Sequence, residues 1–225
     1  MESSDRIRED FDRIARLTQA DYDHNAHFHT YLLRRIPPRC RETLDIGCGK
    51  GDFSRLLAAR SERVTAVDFS PEMIRRAREE SAAFPNIEFQ NADVRDWAWP
   101  QSRYDCIVSI ATLHHLPPGE ILRRCASALA PGGTLAILDL CQAAEPADYL
   151  LGALSFPLSV ALRLTHTGRL RTPPSVREAW EIHGRHETYL SPAEVRGICR
   201  DVLPGAEVRR HLLWRYSIVW RKPAG

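Results

Sequence analysis

The sequence predicts an α/β fold built on an open, mostly parallel sheet with helices on both faces. Three observations carry this. Short apolar strands alternate with helical stretches from Thr43 to Leu140, the rhythm of strand–helix–strand units. The segment YDCIVSI at 104–110 is nearly all apolar, as suits a parallel strand covered on both faces. Glycines stand at 47, 49 and 51, directly after the first strand, where such a sheet turns tightly into a helix.

Ile7, Phe11 and Ile14 fall at helical spacing among charges, so residues 5–17 read as an amphipathic helix. A second helical stretch, 23–35, ends before Pro37 and Pro38. TLDIG (43–47) is the first strand and 53–59 the helix after it. VTAVD (64–68) is the second strand. Ser70 is a good N-cap for the next helix, with Pro71 in its first turn. IEFQNAD (87–93) is the third strand and YDCIVSI the fourth. Residues 118–129 form a helix with Ile121, Leu122, Cys125 and Leu129 on one side, and GGTLAILDL (132–140) is the fifth strand.

The rhythm stops over 141–190. That segment holds an apolar helical stretch, broken by Gly152 and Pro157, and the Arg/Pro-rich run RLRTPPSVREAW. Ser191 and Glu194 form a capping box that starts another helix, and the terminal AEVRRHLLWRYSIVWRK reads as two strands with a tight connection. The expected organisation is a single domain, 1–225. A helical cover (1–38) precedes the core (39–140), an inserted cap (141–190), and a closing helix and hairpin (191–225).

Hydrophobic residues make up 44% and charged residues 27% of the 225, which excludes a disordered or collagen-like chain. Thirty-one basic against 29 acidic residues leave +2, too little to argue for a polyanionic partner, so no nucleic acid is expected. Every cation except Lys50 and Lys222 is arginine. The arginines are expected mostly on helix faces and in the insertion, with no cluster at the sheet edge that carries the strand-end acids. The six cysteines form no C-x-x-C pair and suit a reducing cytoplasm. The N-terminus lacks a signal peptide's apolar core, and the uncharged run 149–162 is shorter than the ~20 residues of a membrane span. A soluble, cytoplasmic protein is expected.

The chemistry gathers at strand ends. Asp45 precedes the G-x-G-x-G of Gly47, Gly49 and Gly51, and position 52 is aspartate where a dinucleotide fingerprint would have glycine. Acids there repel a pyrophosphate and suit a cationic ligand. Asp68 ends the second strand, where an acid can accept from ribose hydroxyls; Asp93 ends the third and can accept from an adenine amino group. Each alone reads equally as a helix cap or loop acid; three in succession beside a glycine turn do not.

DIGCGKG, VDFSPEMI, NADV, YDCIVSIATLHHL and LAPGGTLAILDL together resemble, in order and spacing over residues 40–140, the motifs of class I S-adenosylmethionine-dependent methyltransferases. The nearest likeness is to the small-molecule branch that includes ubiquinone- and menaquinone-type enzymes. The resemblance implies a Rossmann-like, seven-stranded sheet with an antiparallel C-terminal strand. It implies S-adenosyl-L-methionine as cofactor and S-adenosyl-L-homocysteine as product. Asp45, Gly47, Cys48, Gly49 and Gly51 would hold the methionine part and Asp68 the ribose. Phe69 and Met73 would flank the adenine, Asp93 and Val94 would meet its polar edge, and Ile110 and Ala111 would approach through backbone.

Methyl transfer is an in-line displacement, so a base is needed only where the acceptor carries a proton that must leave. His114 and His115 follow the fourth strand and are the candidates, with Asp139 placed to orient one; alternatively a histidine caps the next helix. Tyr22, His24 and His27 are candidate lid residues, and no metal is expected. His183 and His186 read as loop or surface residues, and Trp180 with Trp214, Tyr216 and Trp220 as core or edge-strand residues. The apolar cap residues Leu150, Leu151, Leu154, Phe156, Leu158, Val160, Leu162 and Leu164 suggest a hydrophobic or aromatic small-molecule acceptor, or else core packing. The competing functions are a non-catalytic cofactor-binding or dimerisation module and a nucleic-acid methyltransferase. The oligomeric state, monomer or homodimer, is left open.

Overall fold

The structure is a computed structural model that describes residues 2–17, 24–168, 171, 173–185 and 187–224, with the side chains of 2–4 and 147 excepted. Seven strands form one sheet: β1 (Cys40–Ile46), β2 (Ser61–Asp68), β3 (Ile87–Asn91), β4 (Tyr104–Ile110), β5 (Leu129–Leu140), β6 (Glu207–His211) and β7 (Arg215–Arg221). Their spatial order is β3-β2-β1-β4-β5-β7-β6. The first five are parallel, and β7 runs antiparallel to both β5 and β6. The order reverses between β1 and β4, and ligands of open α/β sheets bind at the carboxyl ends of such a pair.

The predicted alternation is present. The helices α1 (Glu2–Leu17), α2 (His29–Leu33), α3 (Asp52–Ala58), α4 (Pro71–Glu80), α5 (Pro118–Ala128), α6 (Pro146–Thr167), α7 (Pro174–Gly184) and α8 (Pro192–Val202) punctuate the strands. β4 is buried along most of its length because helices cover both faces of the sheet. Leu44, Ile107, Ile121, Leu122 and Leu135 meet in one core cluster. Leu32, Leu57, Val64, Val108 and Leu138 meet in another. The six cysteines are unbridged and buried.

Two predicted helices differ in form. The described part of the second stretch, from His24, is a 3-10 helix, His24–Phe28, followed by the five-residue α2, so it has no continuous α-helical face. Gly152 and Pro157 do not break the cap helix, which runs unbroken from Pro146 to Thr167. Pro157 removes one backbone donor, but Ala153 and Pro157 are both exposed, so water can satisfy the freed carbonyl. No helix among the described residues is long and apolar enough to cross a membrane.

The cover and the cap are pinned to the core by specific bonds. Asp12 of α1 accepts from the hydroxyl of Ser70, which itself caps α4 by accepting from the Met73 N–H at 3.1 Å. A cap of this kind contributes about 1 kcal/mol. Arg76 of α4 donates to the Ala15 carbonyl. In the cap, Ser155 of α6 accepts from the Leu213 N–H at 2.8 Å. Leu213 and Trp214 form the β6–β7 turn with φ of 59° and 54°, the left-handed pair a two-stranded hairpin favours. Tyr216 and Trp220 are buried on β7, as expected of core residues.

Candidate functional site

One cavity of about 640 Å³ opens at the switch point between β1 and β4. Its floor is the glycine turn. Gly47 has φ 68°, and a Cβ there would fall 2.0 Å from Thr112 Oγ1, so the loop leaving β1 and the chain leaving β4 touch at a point where only hydrogen fits. Ala111 beside it holds φ 51° with its N–H donating to the Leu138 carbonyl at 2.8 Å. Gly51 caps α3 with φ 77° and packs on Phe89; it is not on the cavity wall, contrary to its expected contact with a cofactor.

Two buried acids line this floor. Asp45 is 2% exposed and accepts from Ser54 Oγ at 2.6 Å. Burial, and secondarily the charge of Asp68, push its carboxyl up to about 7 against the pull of Ser54. Asp68 accepts from the Gly49 N–H and the Ser70 N–H, each at 2.9 Å. Burial still raises its carboxyl to about 6. A carboxylate has about four acceptor sites, so these two bonds leave Asp68 room for hydroxyl donors. Cys48, Phe69, Met73, Val94 and Ile110 complete this part of the wall together with Gly47, Gly49 and Ala111.

Asp93 is also on the wall, but it is held by Arg95, whose Nε donates to both its oxygens at 2.9 and 3.1 Å. That guanidinium keeps the Asp93 carboxyl below its ordinary value. The sequence carries no signal for Arg95, because a residue two positions after a strand-end acid has no fixed direction.

His114 lines the same cavity and is aligned by Asp139. Asp139 is fully buried behind it, accepting from the His114 backbone N–H at 2.8 Å and lying 2.5 Å from Nδ1. A carboxylate only accepts, so Nδ1 carries the hydrogen and the Nε2 lone pair is left for another partner. The His115 ring lies tilted against it, centroid to centroid 3.9 Å, with Nδ1 3.0 Å from a Glu187 oxygen. The ligand-capable atoms of His114, His115 and Glu187 lie within 4.8 Å of one another. Burial alone would raise the Glu187 carboxyl, but His115 and His183 beside it hold it below its ordinary value.

His183 is buried rather than at the surface: it is 4% exposed on α7, 3.6 Å from Asp10 and 3.7 Å from Glu187. Burial, with His115 nearby, lowers its pKa. Phe11 of α1 places its edge against His183 at 4.8 Å and His115 at 5.4 Å. These contacts join cover, cap and core across many residues of chain, which no local spacing announces.

Among the lid candidates, His24 lines the cavity and pairs with Ser159 of α6 at 2.7 Å. His27 is exposed and off the wall, and His29 lines the cavity in its place, because the short 3-10 helix re-aims the segment. Tyr22 and His186 lie outside the described residues. Trp180 is half-exposed on the wall, not in the core.

Of the two readings of the apolar cap residues, core packing holds for Leu158 and Leu162, which pack against the core cluster of Leu32, Val108 and Leu138. None of its eight apolar leucine, valine and phenylalanine candidates is on the wall; α6 contributes Arg163 and Thr167. Leu150, Leu154 and Phe156 face solvent at 65%, 54% and 67% exposure. Arg163, Arg171 and Arg177, which lie in the insertion, line the cavity together with Arg95 and Arg215.

A family model described as a methyltransferase domain matches residues 43–133. An uncharacterized methyltransferase of Mycobacterium tuberculosis (strain ATCC 25618 / H37Rv) is 32% identical over 203 residues, covering 88% of this chain and 96% of that protein. Trans-aconitate 2-methyltransferase of Streptomyces avermitilis is 37% identical over 171 residues, 70% of this chain and 63% of its own length. The crystal structure of N-methyltransferase NodS from Bradyrhizobium japonicum WM9, in complex with S-adenosyl-L-homocysteine, shares the fold. Its TM-score is 0.60 at 20% identity, covering 88% of this chain and 87% of that one. With its sheet order, its glycine turn and a relative matched over nearly its whole length, the chain belongs to the class I S-adenosylmethionine-dependent methyltransferases.

Proposed function

We propose that this methyltransferase moves the cofactor's methyl group onto a small-molecule acceptor that enters between α1, α7 and the chain after β4. The observation that carries it is the single cavity onto which Asp45, Asp68 and Asp93 open together with His114. Asp45 and the turn of Gly47, Cys48 and Gly49 meet the methionine part, with Ile110 and Ala111 approaching through backbone. Asp68 takes the ribose hydroxyls. Phe69, Met73, Asp93 and Val94 frame the adenine, with Arg95 fixing the Asp93 carboxylate. Gly51 serves by shaping the turn.

The acceptor's nucleophilic atom attacks the methyl carbon in line. The carbon–sulfur bond breaks with its electron pair going to sulfur, which leaves S-adenosylhomocysteine. His114 faces the acceptor and takes the proton of an oxygen or nitrogen nucleophile on Nε2; Asp139 positions it by holding Nδ1–H. His115 supports the same face from its contact with Glu187. Phe11, Val176 and Trp180 supply an apolar and aromatic surface for the acceptor's body, in place of the cap leucines. A small acceptor also fits the name of the Streptomyces relative.

Calorimetric titration tests the cofactor half: S-adenosylmethionine should bind and NADH should not, and the reverse would sink the proposal. An acceptor screen that reads S-adenosylhomocysteine then tests the acceptor half. In His114→Ala, turnover should fall while cofactor affinity stays within about twofold. Loss of cofactor binding instead would make His114 a binding residue.

A further inference from the structure

Beside His114, buried polar atoms outnumber the hydrogen bonds made to them. The side chains of His114, His115 and Glu187 are each more than nine-tenths buried. One ligand-capable atom of each lies within 4.8 Å of the others. Neither ring nitrogen of His115 has a hydrogen-bond partner among the described residues, and Nδ1 lies 3.0 Å from a Glu187 oxygen without hydrogen-bonded geometry. His183 Nδ1, next in the cluster, has none either. Buried nitrogens left in this state are costly, and native proteins rarely keep them without a partner. A cation shared by the three side chains supplies one.

His114 is already arranged as a ligand. Asp139 holds Nδ1–H and leaves Nε2 free, and a carboxylate on the far nitrogen orients metal-bound histidines in the same way. Two imidazoles and one carboxylate suit ions such as zinc, cobalt or nickel, whereas calcium and magnesium take oxygen donors. Donors about 2.1 Å from a tetrahedral ion stand about 3.4 Å apart. The 3.0 Å pair and its neighbour therefore need only small ring rotations to close on one. Three protein donors leave a fourth position, and His114 and His115 both line the cavity from which it is filled.

We propose that His114 Nε2, His115 and Glu187 bind one divalent transition-metal ion of the zinc class. The histidines follow β4 in the core and Glu187 follows α7 in the cap, so the ion clamps cap to core. It also occupies the lone pair that His114 uses as a base, so a bound ion and proton transfer exclude each other. That exclusion rests on the function proposed above; the ion site itself does not. The sequence gives no metal signal, because Glu187 lies far along the chain from the histidine pair.

The test uses the full chain after chelator treatment, titrated calorimetrically with zinc chloride. One ion per chain should bind, with a dissociation constant of about micromolar or tighter. Glu187→Gln and His115→Gln should each weaken binding by about tenfold or more. Cobalt(II) should give the visible absorption of a nitrogen- and oxygen-bound ion, without a thiolate charge-transfer band. Saturating zinc should raise the unfolding midpoint of the unaltered chain and not that of Glu187→Gln, since the ion holds only the folded state. Zinc should also lower turnover by about tenfold or more, reversed by chelator, while S-adenosylhomocysteine affinity stays within about twofold. The proposal is overturned if zinc fails to bind at about 100 µM, or if both variants bind it as tightly as the unaltered chain. A thiolate band with cobalt would overturn it too, and that spectrum decides if the variants do not fold. Turnover that persists with the site saturated would overturn the exclusion. A chain that binds zinc here but not S-adenosylhomocysteine would overturn the cofactor assignment instead.

Discussion

The wall proposed for the cofactor and the wall proposed for the acceptor share one cavity but are built in different ways. On the cofactor side, Asp45, Gly47, Asp68 and Asp93 come from strand ends and the turns after them, a few residues from hydrogen-bonded ladders. On the acceptor side, Phe11, Arg163, Val176 and Trp180 come from three helices outside the sheet. The first wall is fixed by backbone geometry and the second by side-chain packing. Chemistry that must stay constant sits on the rigid frame, and the part that chooses an acceptor sits on helices whose faces can be rewritten without disturbing the strands.

The largest break in this contrast comes from Gly47→Ala. A Cβ with 2.0 Å of clearance in a left-handed conformation forces the two loops apart, so cofactor binding should vanish and stability fall by about 3 kcal/mol in thermal unfolding. Asp139→Asn should lower turnover on the order of a hundredfold with the cofactor dissociation constant unchanged, because only the alignment of His114 is lost. Were cofactor affinity to collapse, the two walls would not be separable. Asp68→Ala should weaken cofactor binding by about a hundredfold and leave acceptor KM in place; a shift in KM alone would reverse the assignment.

The smallest effect is a pH dependence. Asp45 and Asp68 titrate near 7 and 6, above the ordinary carboxyl range near 4, so each is increasingly ionised between pH 5 and 8. Burying those charges costs the empty protein stability as pH rises from about 4, where the unfolded carboxyls ionise, to about 7, where the folded ones have done so. A bound cation offsets the cost, so cofactor affinity should rise several-fold from pH 5.5 to 8. Asp45→Asn should flatten most of that rise, and an unchanged slope would remove Asp45 from the linkage.

The same division explains what the sequence made legible. Strands, the glycine turn and the strand-end acids follow from local pattern, and the structure brings Asp45, Asp68, Asp93 and His114 to one cavity, with Asp139 behind His114. The acceptor wall did not follow, because helical periodicity identifies an apolar face without saying which way it points. The leucines of α6 illustrate it: the pattern is apolar nearly all round, and the face turned to the cavity carries Arg163 and Thr167. Asp10 reaches His183 across more than 170 residues of chain, through tertiary packing.

The contact between Gly47 and Thr112 ties the two walls together mechanically. With no slack between the loops, a displacement of the chain after β4 is transmitted to the turn after β1 as a push on its backbone. Position 112 therefore works as a spacer that sets the gauge of the cavity floor: a bulkier side chain there jacks the cofactor turn off the sheet, and a smaller one lets it settle.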